Sequence, residues 1–337
     1  MIDTVANALK LMEGRRVLLV GDVMLDSYVY GETVRVSREA PVIVVRKESV
    51  EHRLGGAANT AANLASLGIR VEMLGVVGED EGGGLLREML EERGVDTHGL
   101  IAAEATTPVK TRVMAGAFGT TKQQVLRIDD EPSDSLSEEV EAQMVELFRE
   151  RAAESEVIVL SDYGGGAIVP EIITLAAEMK AAGKMVCVDS RNRLHLFCGM
   201  TVVTPNVPEA EAQVGQSIIS EEDVVRAGTA LRERLNCEAC LLTQGRGGMT
   251  LFREEAEPSH VRIIGEDEVT DVTGAGDTVI ATFSAALAAG LGMENAMRLA
   301  NCAAGVVVCK AGAAVASPAE IVAAACGVGL ELVPWGV

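Results

Sequence analysis

The strongest constraint in this sequence is a rhythm. Short apolar runs that close on polar or glycine residues alternate with stretches whose apolar residues recur at helical spacing. RVLLVGD, VEMLGVVG, VIVLSD, MVCVDS, TVVTPN and ACLLTQG have the character of strands. Between them lie GAANTAANLASLG, GGLLREMLEERG, SEEVEAQMVELFRERAAES, PEIITLAAEMKAAG, EEDVVRAGTALRERL and TVIATFSAALAAG, which have the character of helices. Such alternation predicts an α/β fold, with a mostly parallel central sheet and helices on both faces. Ligands of such sheets bind beyond the carboxyl ends of the strands, where the polar tails of these runs gather.

Two segments break the rhythm. Residues 31–54 and 106–128 alternate apolar and polar positions without an intervening helix, which predicts antiparallel strands outside the main sheet. They are expected either to form a small β-sheet lid that shields a transfer site from water or to be an edge hairpin without that role. No linker rich in Pro, Gly or Ser divides the 337 residues, and 48% of them are hydrophobic. Residues 1–337 are therefore expected to make one domain carrying this excursion. Val34, Val36, Val42 and Val44 fall at alternate positions within 34–45 and predict an apolar face that a second copy covers, as a homodimer through the lid.

The formal charge of −21 argues against a nucleic-acid partner, and an anionic substrate must be met by a local group of cations. Lys110, Arg112 and Arg127 are the candidates within the second excursion, with Lys110 and Arg112 on one face of a strand; a solvated face is the other reading. No stretch approaches eighteen uninterrupted apolar residues and the first residues lack a cleavable leader, so a cytoplasmic chain with no membrane partner is expected. Seven scattered cysteines read as reduced; Cys237 and Cys240 have no second pair to complete a zinc set.

The chemistry-bearing residues cluster where strands give way to helices. DVTGAGDT at 271–278 enters a helix through glycines, so unpaired N–H groups and the positive end of the helix dipole invite an anion. Asp277 there is either a cap on those groups or a base beside a bound phosphate. Asp26, after the first strand, suits sugar hydroxyls; Gly55 and Gly56 allow close backbone approach, and Asn59 on the following helical turn points the same way. Asn206 and Glu209 fit either the hydration shell of Mg²⁺ on nucleotide phosphates or a plain capping box. Thr243 and Gly245 open a tight turn beside a phosphate or adenine, which a hairpin would equally need. Neither a Walker P-loop nor a GxGxxG follows any strand.

In this order, GD-x-x-x-D, GGAAN, N-x-x-E, T-x-G-x-x-G and DVTGAGDT resemble the ribokinase-like (PfkB) carbohydrate kinases over almost the whole chain. The resemblance implies a ribokinase-like fold, ATP and Mg²⁺, with Asp277 as general base and the amides of Gly274, Ala275 and Gly276 as an anion hole. It places Asn206 and Glu209 at Mg²⁺ and the phosphates, Thr243 and Gly245 beside the nucleotide, and Asn301 near adenine. Asp271 and Thr273 fall where relatives hold a monovalent cation such as K⁺. VGDVMLDSYVYG, RVSREAPVIVV, LSDY and TPNVPEAEAQVG are similar to the branch that phosphorylates D-glycero-D-manno-heptose 7-phosphate at its anomeric hydroxyl, toward lipopolysaccharide. Members of that branch can carry a nucleotidyltransferase domain, for which this chain is too short. Gly165, Ser190 and Arg191 depart from the branch, whose members read SDYAKG and DPK at these places. A kinase for another sugar, a silent sugar- or nucleotide-binding regulator and a nucleoside kinase are the alternatives. With 3% aromatic residues there is little for a base to stack on, which disfavours the nucleoside kinase.

Overall fold

The computed structural model describes residues 2–117, 119–131, 135–264 and 270–334. The strands are β1 (Arg16–Gly21), β2 (Val23–Val36), β3 (Ile43–Gly56), β4 (Arg70–Gly78), β5 (Asp96–Ala103), β6 (Val109–Gly116) and β7 (Gln123–Asp130). They continue as β8 (Val157–Asp162), β9 (Met185–Ser190), β10 (Val202–Val203), β11 (Ala239–Thr243), β12 (Met249–Arg253) and β13 (Ser259–Val261). The helices are α1 (Ile2–Met12), α2 (Ala57–Ser66), α3 (Glu81–Glu91), α4 (Glu138–Ala152), α5 (Pro170–Ala181), α6 (Val207–Val214), α7 (Glu221–Leu235), α8 (Ala275–Ala288), α9 (Met293–Val308) and α10 (Pro318–Gly327).

A nine-stranded sheet runs in the order β13-β12-β11-β10-β9-β8-β1-β4-β5. It is parallel from β11 to β5 and ends in the antiparallel edge of β12 and β13. β1 shows why its strands read as unbroken apolar runs. Val17 and Leu19 join the core made with α1, α2, α8 and α9, while Leu18 and Val20 join the core made with α4, α5 and α7. Helix α8 is buried from Asp277 to Ala288, which is why TVIATFSAALA is apolar almost all round.

The second sheet has the order β3-β2-β6-β7. β2 pairs antiparallel with β3 and parallel with β6, and β6 pairs antiparallel with β7. It starts at Val23, ahead of residue 31 where the alternation becomes visible, because Val23, Met24 and Leu25 are buried at the junction with the main body. Asp26 therefore lies within the first strand of this sheet and not in a loop after β1. β10 is shorter than TVVTPN suggests, and β5 has no counterpart among the expected strands. The cysteines are free thiols.

Candidate active site

A cavity of about 800 Å³ opens where the carboxyl ends of β8, β9 and β11 meet the N-terminus of α8 and the underside of the second sheet. Gly274 is the N-cap of helix α8, and its φ of 78° lies in the left-handed region that glycine adopts without strain. A Cβ there would come within 2.5 Å of Asn59 Nδ2. Of the expected anion hole, the Ala275 amide is already spent on Val272 O at 3.2 Å. The amides of Gly274, Gly276 and Asp277 have no partner among the described residues, so they are the ones left to meet an anion.

Asp277 is not the cap of its own helix: α8 has no side-chain cap. Its carboxylate accepts from Asn59 Nδ2 at 2.8 Å, Tyr163 Oη at 2.7 Å and Thr60 Oγ1 at 3.3 Å. Asn59 is oriented in turn by Asn63, which donates to Asn59 Oδ1 at 3.3 Å and accepts from Thr278. Burial pushes the Asp277 carboxyl up to about 6 against the opposing hydrogen bonds from Asn59, Tyr163 and Thr60. A carboxylate so poised at a cavity wall suits proton abstraction near neutral pH. Asn59 is thus a partner of Asp277; it does not line the cavity itself.

Asp162 and Asp189 also line the cavity, and Asp22 is buried beneath the loop that follows β8. Burial, and then Glu209 and Asp277 nearby, push Asp189 up to about 8, and Thr204 Oγ1 donates to it at 3.0 Å. Burial also raises Asp22, although it accepts from the amides of Tyr163, Gly165 and Ala167 at 2.7, 2.9 and 2.9 Å. Asp162 is held by Ser190 Oγ at 2.6 Å and by the Arg193 guanidinium. Two of the departures lie at these contacts. Gly165 sits where a Cβ would lie 3.0 Å from the Asp22 carboxyl, and Ser190 fixes Asp162. The sequence signal for Asp189 and Asp162 was slight: each is an acid at or near the end of a buried strand.

Asn206 and Glu209 do form a capping box, each side chain bonding the other's backbone amide at 2.9 Å. Both also line the cavity, and only Oε2 of Glu209 is used in the cap. Burial, partly offset by the Asn206 amide and by Arg191, raises the Glu209 carboxyl. Thr243, Gly245 and Asn301 line the same side, with Asn301 Nδ2 donating to Arg262 O at 2.7 Å. Asp271 accepts from the Thr273 amide and hydroxyl and from the Gly312 amide at 2.9, 2.7 and 2.8 Å. Burial opposes its charge, but those bonds outweigh it and hold the carboxyl below the usual range. Thr273 lines the cavity; Asp271 stands behind it.

The three expected lid cations all reach the cavity but differ in what they are free to do. Arg112 is paired with Asp26 at 2.7 Å, and Arg127 with Asp129 through two hydrogen bonds. Among the described residues Lys110 has no carboxylate within ion-pair distance, and it lies 5.9 Å above the Tyr163 ring. Burial and then Arg191 lower its pKa. Arg191 likewise makes no ion pair among the described residues. Gly56 and Asp26 line the cavity, whereas Gly55 lies behind Asp26, 3.1 Å from its Oδ2 at the position a Cβ would take.

The bifunctional protein HldE of Methylococcus capsulatus is 45% identical over 91% of this chain and 63% of its own length. Its counterpart in Chromohalobacter salexigens is 44% identical over 93% of this chain and 64% of its own length. The chain thus spans less than two thirds of these curated relatives. Escherichia coli phosphofructokinase-2 in complex with potassium superposes with a TM-score of 0.79 at 19% identity, covering 94% of this chain and 100% of that one. Arabidopsis thaliana ribokinase complexed with ribose and ATP gives 0.72 at 20%, covering 93% and 98%. These two share the fold. The profile of the pfkB family carbohydrate kinases matches residues 15–320, and the chain belongs to that family.

Proposed function

We propose that this chain transfers the γ-phosphoryl group of ATP to the anomeric hydroxyl of D-glycero-D-manno-heptose 7-phosphate. The observation that carries the reading is the buried Asp277, held by donors from two other parts of the chain and set beside the free amides that open α8. Asp277 takes the proton from the sugar hydroxyl as its oxygen bonds to phosphorus, the bond from phosphorus to the β,γ-bridging oxygen breaks, and ADP leaves. The amides of Gly274, Gly276 and Asp277 meet the charge on the transferring group. An anomeric hydroxyl is more acidic than an ordinary alcohol, so a carboxylate with a pKa near 6 is an adequate base.

The donor set fits a hydrated Mg²⁺. Glu209 keeps one oxygen clear of its cap, and burial raises its carboxyl against the Asn206 amide and Arg191, so a cation there would be met by an otherwise uncompensated carboxylate. When bound, Mg²⁺ supplies charge neutralisation on the nucleotide phosphates, and Asn206 and Glu209 would hold its water shell. Thr243, Gly245 and Asn301 would border the nucleotide. Asp271 and Thr273 would help to hold a monovalent cation close behind the anion hole. Asp26, Gly55 and Gly56 would frame the sugar, with Asn59 acting through Asp277. Because Arg112 and Arg127 are already paired, Lys110 and Arg191 are the cations best placed for the 7-phosphate.

The chain would act in the cytoplasm, as a homodimer through the lid. Val34, Val36, Val42, Leu126 and Ile128 leave apolar surface on that sheet exposed, and a second copy would cover it. Among the described residues, no helix is long and apolar enough to cross a membrane. The test is ADP release from Mg-ATP with D-glycero-D-manno-heptose 7-phosphate beside ribose, fructose, fructose 6-phosphate and nucleosides, with Asp277→Asn in parallel. Turnover on the heptose phosphate that falls at least a hundredfold in the variant is expected. Turnover confined to another acceptor would remove the heptose, and nucleotide binding without turnover on any would replace the kinase reading by a regulatory one.

A further inference from the structure

Tyr163 is not among the site residues expected from the sequence, yet it makes the shortest contact to Asp277. A carboxylate offers about four acceptor positions. Tyr163 Oη and Thr60 Oγ1 occupy Oδ1, at 2.7 and 3.3 Å, and Asn59 Nδ2 occupies one side of Oδ2 at 2.8 Å. We propose that Tyr163 is the positioning residue of the base: its phenol engages Oδ1, fixes the carboxylate plane and leaves Oδ2 as the oxygen that receives the sugar proton. This deepens the proposed function and rests on Asp277 being the base.

Two features of the structure support the role. The first is the way the ring is anchored. Asp22 Oδ2 accepts from the amides of Tyr163 and Gly165, and Oδ1 accepts from Ala167, so the end of β1 grips the loop after β8. Gly164 and Gly166, at φ 81° and 98°, let that loop curl around the carboxylate. The second is the state of the phenol. Burial, then the charges of Asp277 and Asp189, raise Tyr163 well above its ordinary value, so the phenol stays a donor throughout the working range.

The groups facing Asp277 are neutral Asn59 and Thr60 from α2, Asp26 from β2, Asp189 from β9 and Tyr163 after β8. Lys110 from β6 lies over the ring, and the charge of Arg191 after β9 acts on the phenol. Tyr163→Phe leaves every one of these charges in place and removes a single donor. A hydrogen bond to the charged form lowers a carboxyl pKa, so its loss must raise that of Asp277.

The experiment compares wild type, Tyr163→Phe and Asp277→Asn. Carboxyl ¹³C NMR of aspartate-labelled protein, with the Asp277 signal identified by its loss in Asp277→Asn, should show a midpoint near about 6 in the wild type. In Tyr163→Phe it should move up by about one pH unit. The acid limb of kcat/KM with Mg-ATP and heptose 7-phosphate should move with it, and kcat on the plateau should fall about tenfold while KM for ATP changes less than about twofold. A midpoint and limb that stay in place would overturn the proposal, whatever happened to kcat, because loss of packing alone lowers rate without moving either. Should Tyr163→Phe not fold, incorporation of 3-fluorotyrosine makes the phenol a stronger donor and should move the midpoint down; no movement would again overturn it. Failure of the base reading shows separately, as Asp277→Asn turnover within about threefold of wild type, and would take the proposal with it.

Discussion

Arg112 and Asp26 form a buried ion pair between neighbouring parallel strands: Nη1 donates to Oδ1 at 2.7 Å, with 13% and 6% of the side chains exposed. The guanidinium also lies 5.3 Å from the centre of the Tyr28 ring, and Arg53 lies 5.0 Å from the same ring. This arrangement holds Asp26 at the cavity wall and takes Arg112 out of the set of cations free to bind phosphate.

Removing one half of such a pair leaves an uncompensated buried charge, which costs about 3–5 kcal/mol. Arg112→Met is expected to lower unfolding free energy in urea by that amount. The double variant Asp26→Asn/Arg112→Met should recover at least half, since the desolvated charge goes with its partner. Lys110→Met, which breaks no ion pair among the described residues, should cost under about 1 kcal/mol yet raise KM for the sugar phosphate about tenfold. Equal stability losses in Arg112→Met and Lys110→Met would show that the pairing does not separate the two cations.

The two glycines of the α8 entry should fail in different ways. A Cβ on Gly274 meets Asn59 Nδ2 at 2.5 Å and sits at a φ of 78°. Gly274→Ala must therefore displace the side chain that holds Asp277. It is expected to lower stability by about 1–2 kcal/mol and kcat by about a hundredfold. A Cβ on Gly276 meets nothing nearer than Asp189 Oδ2 at 4.0 Å. Gly276→Ala should keep the wild-type melting temperature while crowding the space in front of the free amides, with kcat/KM for ATP down at least tenfold. Thermal melts and steady-state kinetics on the same preparations separate the two cases.

What the sequence discloses of this site is what is local in the chain. The glycine entry to α8 and the capping box of α6 are each written within a few residues, so their geometry is legible. The spent Ala275 amide is not, because it depends on how the preceding turn folds back onto Val272. Asn59 and Asp277 stand 218 positions apart and meet only because α2 packs on α8; nothing in GGAAN says that the amide will serve a carboxylate in place of a ligand. Tyr163 lies within LSDY, yet its aim is set by Asp22 at the far end of β1. The lid is legible as alternation from residue 31 onward, where its residues are exposed, and illegible from 23 to 30, where burial on both sides removes the period of two.

The exposed apolar face of the lid makes association testable. Val36, at the end of β2, is 63% exposed and Val42, just before β3, 56%, in the same hairpin. Val36→Lys with Val42→Asp would place charge on that face without touching the cavity. If two copies meet there, sedimentation at micromolar concentration should show the wild type as a dimer and this variant as a monomer. A wild type that sediments as a monomer, or a variant that stays dimeric, would remove the lid face from the interface.

Asp277 should make the protein less stable at neutral pH than its amide counterpart. Its native pKa is raised from 3.8 to about 6, so in the unfolded chain the group loses its proton first as pH rises. Below 3.8 it is protonated in both states and carries no penalty. Between 3.8 and about 6 the unfolded state ionises while the native state does not, and stability is lost; above about 6 the penalty is complete. A displacement of this size corresponds to about 3 kcal/mol in full, most of it lost between pH 4 and pH 7. Asp277→Asn, which removes the titration, should therefore be more stable than wild type at pH 7 by about 2 kcal/mol more than at pH 4, measured by urea unfolding at both. That is the opposite sign from an ordinary salt-bridged aspartate, whose contribution is lost as pH falls. A gain that is flat across the range, or that reverses, would mean the native carboxyl is held ionised, and the groups around Asn59 and Tyr163 would then outweigh its burial.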